Sequence, residues 1–493
     1  MGLFYFPNHI FVFMKKAISI IFYLIVFLSL AAEPKVFAMD GDTALLSAPK
    51  VDRRVELLSI VFRLAGSREY NTEENKNYVG DIHRHFDKYK NHPLIVFAKE
   101  LADSNGVGYD AIAAMAIHIE QAPSFKPLVP FSDSVPESRW GRDDANKFVS
   151  LLQKFYVDAE CEKFFKEEEN KYKIAEEKFR SVYDKLDLSW YKKFYGKLPD
   201  GKFNIVIGLG NGGNNYGPKI IYPNGKEEVY AVMGSWSFDS LGQPFYDIKN
   251  YLPILIHEFN HSFVNYLIDK NKKMFEEAGS AIYIRVSAKM RVQAYSNWKT
   301  MICEAIVRAA VIKYLKSHDT IGGKQADKET MDELSNGFVW MKEQVALLDK
   351  YESNRQKYPT LENFVPELAS FYGNMAKNID VLLDGYNNQC PKVVSIDQFK
   401  NSATDVDPKI TLIKIKVDKA LRGKGYSIGY GKKGKETYPT IGTITYSDNN
   451  KAIEIQVSLK PDTEYQFTLL GLSFKTPDGY PLQQYEVDFR TAK

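Results

Sequence analysis

Apolar residues recur three and four positions apart through most of residues 50–195, which is the spacing of helices that bury one face. The stretch VELLSIVFRLAG at 55–66 ends on Gly66, a residue typical of helix C-termini. The charged stretch EKFFKEEENKYKIAEEKFRSVYDKL at 162–186 predicts a long helix with one solvated face. The pattern therefore predicts a helical N-terminal part over about 50–195.

The pattern changes to that of β-strands after residue 200. The runs KFNIVIGLG at 202–210 and EEVYAVMGSWS at 227–237 have β-type composition, and the residues between them are dense in Gly, Asn and Pro. Helical spacing returns from about 248 to 385. We expect a small β-sheet followed by helices over about 200–385.

A third pattern begins near residue 400. QFKNSATDVDPK at 398–409 has the composition of a linker, and KAIEIQVSL and EYQFTLLGLSF after it alternate apolar and polar residues as half-buried strands do. The fold prediction is therefore α+β. It comprises a mainly helical domain with a small sheet over 39–400, followed by an all-β sandwich over 407–493.

The composition of the 493 residues is that of a globular protein, with 44% hydrophobic and 26% charged residues. The formal net charge is only +3 with the signs interspersed, so we expect no nucleic-acid partner. Three cysteines are too few for a disulfide scaffold.

The N-terminus has the pattern of an export signal. Two lysines precede the apolar run AISIIFYLIVFLSLAA at 17–32, and the small-residue pattern of VFA at 36–38 suits cleavage before Met39. We expect residues 1–38 to be a signal peptide, with no transmembrane segment left after cleavage. The protein is then secreted, periplasmic or attached to the cell surface. An uncleaved membrane anchor is the alternative.

The segment PILIHEFNHSFVN at 253–265 contains the candidate chemistry. On a helix, His257 and His261 leave the same side one turn apart and can bind one Zn²⁺, while Glu258 is turned toward a water on that metal as a general base. The apolar neighbours predict a buried helix, in which two histidines and an acid need partners. The alternative is a pair of core histidines bound only by hydrogen bonds.

A catalytic zinc site needs a third protein ligand. Val264 and Leu267 stand where metzincins have Gly and His, so that class is excluded. Glu304 in TMICEAIVRAAVIKYL is an acid in an apolar helical stripe, and it is the expected ligand. The alternatives are a plain Glu304–Arg308 helix pair, or a ligand from Glu276 and Glu277.

Several other residues are candidates for supporting roles. Arg308 and Asn265 are one turn from the predicted ligands, and Tyr295 is near Glu304, so these three are expected to orient a ligand or bind an oxyanion. One of the strands 202–210 and 227–234 is expected to pair with a substrate backbone, although an ordinary hairpin fits equally. The GLGNGG stretch at 208–213 lacks a following helix, so a dinucleotide site is excluded.

Several motifs resemble one family in order along the chain. They are VDRRVELLSIVFRLAG, YKNHPLIVFAKEL, GYDAIAAMAIHI, LIHEFNHSFVN and CEAIVRAAVIKY, and they span about 50–385. Together they resemble the secreted bacterial HExxH proteins of domain of unknown function 4932, which are suspected zinc metallopeptidases. Cys303 stands where that pattern commonly has asparagine. Residues from about 407 resemble bacterial Ig-like domains.

The sequence therefore predicts a secreted zinc metallopeptidase of the gluzincin type that hydrolyses peptide bonds with a metal-activated water. His257, His261 and Glu304 are the predicted ligands and Glu258 the general base. The partner is a peptide or protein substrate, with cell-surface or glycan contact through the C-terminal module. The alternatives are a surface binding protein with a structural or inactive metal site, and a zinc hydrolase of non-peptide amides.

Overall fold

The computed structural model describes residues 46–198, 201–471 and 473–493, with side chains throughout except at 319–323. The predicted signal peptide lies outside these residues. Within them are thirteen α-helices and three small sheets, so the chain is α+β and mainly helical in its N-terminal part. Among these helices, none has the length and apolar character needed to span a bilayer.

Seven helices lie between Arg53 and Tyr195, and six more lie between Ile248 and Gln389. The first seven are α1 (Arg53–Ala65), α2 (Lys76–Phe86), α3 (Pro93–Asn105), α4 (Asp110–His118), α5 (Arg142–Asp158), α6 (Cys161–Tyr183) and α7 (Leu188–Tyr195). The next six are α8 (Ile248–Lys270), α9 (Lys272–Val292), α10 (Trp298–Ser317), α11 (Asp319–Ser335), α12 (Met341–Ser353) and α13 (Leu361–Gln389). The predicted long charged helix is α6, and Gly66 ends α1 in the left-handed conformation at φ +90°.

A four-stranded mixed sheet lies among these helices. Its strands are β1 (Lys50–Val51), β2 (Lys202–Gly208), β3 (Lys219–Ile221) and β4 (Glu227–Gly234), in the order β1-β2-β4-β3. β2 runs parallel to both β1 and β4, whereas β3 runs antiparallel to β4. The interpretation of the two predicted strands as an ordinary hairpin is therefore wrong, since β4 forms its hairpin with the short edge strand β3.

Helix α8 begins at Ile248, where helical spacing returns in the sequence. Asp247 caps it by accepting from the N–H of Lys249, so Pro253 lies inside the helix and not in its first turn. A proline has no N–H and leaves the carbonyl four residues before it without a helical partner. That carbonyl belongs to Lys249, and the side chain of Gln325 on α11 donates to it at 3.3 Å.

Aromatic packing fixes α8 against the sheet. Phe203 of β2 is fully buried, and its ring meets that of Phe259 edge-on at 4.7 Å between centroids. One turn further along α8, Phe263 stacks on Tyr195 at 4.2 Å. Each buried ring of this size contributes about 1.5–3 kcal/mol. This face of α8 is held firmly, which leaves the opposite face to present polar side chains.

The C-terminal region is all β. Its strands are β5 (Val393–Ile396), β6 (Leu412–Val417), β7 (Ile428–Tyr430), β8 (Thr440–Ser447), β9 (Ala452–Ser458), β10 (Glu464–Leu469) and β11 (Tyr485–Arg490). They form two antiparallel sheets, β5-β6-β9-β8 and β11-β10-β7, around a shared apolar core. Because β5 pairs with β6, the β region begins at Val393, before the predicted linker.

The β region contacts the helical body through residues 475–483 and through Lys419, whose ammonium group donates to the carbonyl of Asn388 at 2.6 Å. Lys475 lies 3.4 Å from Asp332 of α11, and the ring of Tyr480 packs against that of Tyr386 of α13 at 5.8 Å. The side chain of Gln483 donates to the carbonyl of Asn387 at 3.1 Å. These contacts attach the β region to helices α11 and α13.

Candidate metal centre

Helix α8 presents two imidazoles to the same point. His257 and His261 are four residues apart, and their Nε2 atoms lie 3.1 Å from each other. Both side chains are largely buried, with exposures of 18% and 15%. The predicted arrangement of the two histidines on one side of a helix is what the structure has.

Helix α10 brings a carboxylate to the same point. Glu304 has one oxygen 3.5 Å from Nε2 of His257 and the other 3.5 Å from Nε2 of His261. The two helices are joined beside this point, because the fully buried Asn260 donates to the carbonyl of Val307 at 3.3 Å. The three side chains form a group whose ligand atoms lie within 4.8 Å of one another.

The spacing of these atoms suits a single ion. Ligand atoms about 2.0–2.1 Å from a tetrahedral ion are separated by about 3.3–3.4 Å. The separations of 3.1, 3.5 and 3.5 Å are close to that value. His257, His261 and Glu304 thus form a possible metal-binding triad.

The hydrogen bonds around His261 favour the tautomer that binds a cation. Nδ1 of His261 lies 3.2 Å from the side-chain oxygen of Asn265. That oxygen only accepts, so Nδ1 carries the proton and Nε2 presents its lone pair. A cation between the two Nε2 atoms, which lie 3.1 Å apart, would bind this lone pair.

Glu304 is held from its other side by two residues that the sequence had singled out. The hydroxyl of Tyr295 donates to a Glu304 oxygen at 2.9 Å, and Nε of Arg308 donates to the same oxygen at 3.3 Å. Arg308 also donates to the Tyr295 hydroxyl at 2.6 Å and to Glu333 of α11 at 2.6 Å. The plain Glu304–Arg308 helix pair thus exists as part of a larger network.

The protonation states fit a cation site. Burial lowers the pKa of His257 to about 3, so its imidazole is neutral. Burial alone would raise the pKa of Glu304, but its neighbours His257, His261 and Arg308 and the Tyr295 hydrogen bond bring it to about 2. A neutral imidazole at His257 and an ionised carboxylate at Glu304 are the forms that bind a cation.

Glu258 lies beside the triad without a fixed partner. It is 7% exposed, and within the described ranges it has no hydrogen bond or ion pair. Burial, followed by the charge of Glu304, raises the pKa of Glu258 well above its usual range. A methyl group placed on Gly217 would lie 3.2 Å from a carboxylate oxygen of Glu258 and 2.4 Å from its carbonyl oxygen. Only glycine, which has no Cβ, therefore fits where the backbone at Gly217 passes beside α8.

A cavity of about 980 Å³ opens over these residues. One wall is the backbone of 214–219, which leads into β3. The lining also includes Tyr109, Asp110 and Arg139, and Arg139 is fixed by ion pairs to Asp110 and Glu137. All seven predicted site residues line the cavity; they are His257, Glu258, His261, Asn265, Tyr295, Glu304 and Arg308.

The strand beside the cavity is not one that the sequence pointed to. β2 and β4 each have neighbours on both sides, so the expectation that one of them pairs with a substrate backbone is wrong. The edge of the sheet is formed by β3 and the residues before it. Tyr216 pairs with Val232 of β4, whereas the N–H and C=O of Gly217 have no partner among the described residues.

The GLGNGG stretch has a structural role. The buried carboxylate of Glu56 accepts from the N–H of Leu209 at 2.6 Å and from that of Gly210 at 3.2 Å. These donors are therefore not free to bind a phosphate, in agreement with the exclusion of a dinucleotide site. Glu56 instead ties α1 to the loop that continues into the cavity wall.

Some features of the site had no sequence signal. Glu333 is a buried acid in an otherwise polar helix, and no motif marks it as the partner of Arg308. The alternative ligands are not near the histidines: Glu276 and Glu277 are exposed on α9 and do not line the cavity. Cys161, Cys303 and Cys390 are all buried and free.

Two solved structures give weak similarities. "Structure of surface layer protein SbsC, domains 1-6" has 13% identity and a TM-score of 0.18, with 48% of this chain and 34% of that chain covered. "Crystal structure of the N-terminal part of the bacterial S-layer protein SbsC" has 14% identity and a TM-score of 0.17, with 49% and 58% covered. Scores this low carry no argument about fold or function.

No curated protein matches the chain. The family described as "Domain of unknown function (DUF4932)" matches residues 48–371, which include the mixed sheet, the metal-binding triad and the residues that line the cavity. On this match over more than half of its length, the chain belongs to the DUF4932 family.

Proposed function

We propose that the protein is a zinc-dependent metallopeptidase. The observation that carries the proposal is the convergence of His257, His261 and Glu304 on one point, with the buried Glu258 at the same cavity. Two imidazoles and a carboxylate from two helices are the donor set of gluzincin-type sites. On this proposal the helical body is zincin-like, the C-terminal sandwich is Ig-like, and the protein is exported.

The choice of zinc rests on the donors. Neutral imidazole nitrogens with one carboxylate suit Zn²⁺ better than Ca²⁺ or Mg²⁺, which prefer oxygen ligands. When bound, zinc supplies Lewis-acid chemistry that lowers the pKa of water and polarises a carbonyl. Asn265 would keep His261 in the binding tautomer, while Tyr295 and Arg308 would keep Glu304 in place.

Glu258 is proposed as the general base. Its carboxyl is buried and has no hydrogen-bond partner among the described residues, so it is available to accept a proton from water and return it to the leaving amine. Burial raises its pKa, which favours holding a proton between the two transfers. Gly217 keeps the space beside the carboxylate open, because any side chain there would clash with α8.

An extended peptide is the substrate that the cavity wall favours. In an antiparallel pair, successive residues direct their hydrogen-bonding groups to opposite sides. Tyr216 bonds to β4, so the N–H and C=O of Gly217 are directed away from the sheet, beside Glu258. A peptide that added to this edge would be bound through its own backbone next to the general base.

The test is metal analysis with a peptide-library assay on the purified protein. We expect about one zinc per chain and cleavage of unstructured peptides, which a chelator abolishes and zinc restores. Glu258→Gln should retain zinc and lose at least about a hundredfold in kcat, since it removes the proton acceptor. Glu276→Gln is the matched control, because that acid is exposed on α9, away from the cavity.

Two results would contradict the proposal. A zinc-free protein whose His261→Ala variant has unchanged activity would rule out the metal centre. Full activity of Glu258→Gln would rule out its role as base. Cleavage of non-peptide amides with no cleavage of peptides would reassign the substrate and retain the chemistry.

A further inference from the structure

The segment 419–435 of the β region carries the strongest local charge of the C-terminal part. It contains five lysines and one arginine and no acidic residue. The segment is therefore a local concentration of positive charge in a chain whose net charge is only +3.

The segment includes an open edge of the smaller sheet. Its strand β7 pairs with β10 on one side, and on its other side no strand pairs with it among the described residues. Tyr426 and Tyr430 are 60% and 56% exposed. The ring of Tyr430 rests edge-on against that of Tyr438 at 4.9 Å, which holds it in place. The edge thus presents aromatic rings among cations.

Most of these cations are not neutralised by the protein. Lys433 is bound to Glu464 and Asp488, and Lys419 lies 3.5 Å from Asp418. The remaining four have no carboxylate within 4.0 Å in the described part of the chain; they are Arg422, Lys424, Lys432 and Lys435, and all are exposed. Like charges gathered without counter-ions attract an anionic partner.

We propose that this edge, residues 419–435, binds a polysaccharide that carries carboxylates. A sugar ring has apolar faces and polar edges, which match an exposed tyrosine with its ring and hydroxyl. Five of the six cations are lysines, whose compact ammonium groups pair with scattered carboxylates without a required orientation.

Two rival partners fit the edge less well. Nucleic acids and phospholipids carry phosphates, for which the forked guanidinium of arginine is the better match, and the segment has one arginine. A lipid surface would also select exposed Trp, Phe or Leu. The large exposed hydrophobic residues of the segment are the two tyrosines.

The test is affinity electrophoresis of the full chain in gels that contain polygalacturonate or neutral dextran. We expect retardation by polygalacturonate only, weakened by added salt. The variant Lys424→Glu/Lys432→Glu/Lys435→Glu should bind at least about tenfold more weakly, since it reverses three charges. Tyr426→Ala/Tyr430→Ala should weaken binding about three- to tenfold and leave the salt dependence unchanged.

The control makes the same charge change elsewhere on the β region. Lys409→Glu/Lys451→Glu/Lys460→Glu alters three exposed lysines outside the segment and should bind within about twofold of the wild type. Circular dichroism verifies the fold of each variant. The proposal is overturned by an absence of retardation, by an equal loss in the control, or by tighter binding to single-stranded DNA or to phosphatidylglycerol vesicles.

Discussion

Glu56 makes the stability of the protein depend on pH in a defined direction. Its carboxyl is fully buried between α1 and the 208–213 loop, and burial raises its pKa from 4.5 to about 7 in spite of the hydrogen bonds from Leu209 and Gly210. A carboxyl whose pKa is higher in the folded than in the unfolded chain favours folding when protonated. Its stabilisation is complete below pH 4.5 and is lost as the pH rises through about 7.

The size of the effect follows from the two pKa values. One pKa unit is worth about 1.4 kcal/mol, so the change from 4.5 to about 7 corresponds to roughly 3 kcal/mol in all. Part of this stabilisation is already lost at pH 5. The stabilisation that is lost between pH 5 and pH 8.5 is therefore about 2–3 kcal/mol.

The perturbation is Glu56→Gln, measured by urea unfolding of both proteins at several values between pH 5 and pH 8.5. Glutamine does not titrate, so the stability of the variant relative to the wild type should rise with pH by about 2–3 kcal/mol. The variant also has a constant cost of about 1–3 kcal/mol, because its amide group cannot accept from both Leu209 and Gly210. The informative quantity is therefore the slope. Parallel pH profiles of the two proteins would refute the reasoning.

Three other substitutions test the packing and the site. Phe203→Ala removes a fully buried ring from the contact with Phe259 and should lower the free energy of unfolding by about 3–5 kcal/mol in urea titrations. Arg308→Lys loses the forked contacts to Glu304 and Tyr295 and should weaken zinc binding about tenfold or more by calorimetry; an unchanged Kd would show that the network is not needed. Gly217→Ala introduces a methyl group against α8 and should cut peptide cleavage at least about tenfold while zinc content stays the same. Full cleavage by this variant would contradict the assignment of the cavity wall.

The features predicted from the sequence are those that depend on local pattern. Helix α6 occupies 161–183, close to the charged run from which it was predicted, and Gly66 ends α1. The meeting of His257 and His261 with Glu304 was also predictable, because an acid within an apolar stripe needs a buried partner. Local spacing and the cost of buried charge were sufficient for these features.

Other features depend on contacts that no local pattern encodes. The turn residues between β2 and β4 suggested a hairpin, but the parallel pairing of these strands is set by packing against α8 and by the two-residue strand β1. Pro253 lies inside α8, and its tolerance there depends on Gln325 from another helix. Glu333 is 25 residues from Arg308 along the chain, so only the packing of α11 against α10 brings the two side chains into contact.

The pairing of β1 with β2 has a consequence for the order in which the molecule matures. Lys50 and Val51 lie beside Val206 and Ile207, and Glu56 reaches Leu209 over 153 positions, so closing this loop is a slow, long-range step. These contacts hold the backbone around Gly217, which lines the cavity. The residues of the metal-binding triad come from further along the chain. No fragment shorter than the stretch from Lys50 to Glu333 contains the whole site. A chain that emerges from its N-terminus therefore assembles the triad and the cavity around it only after most of its body has folded.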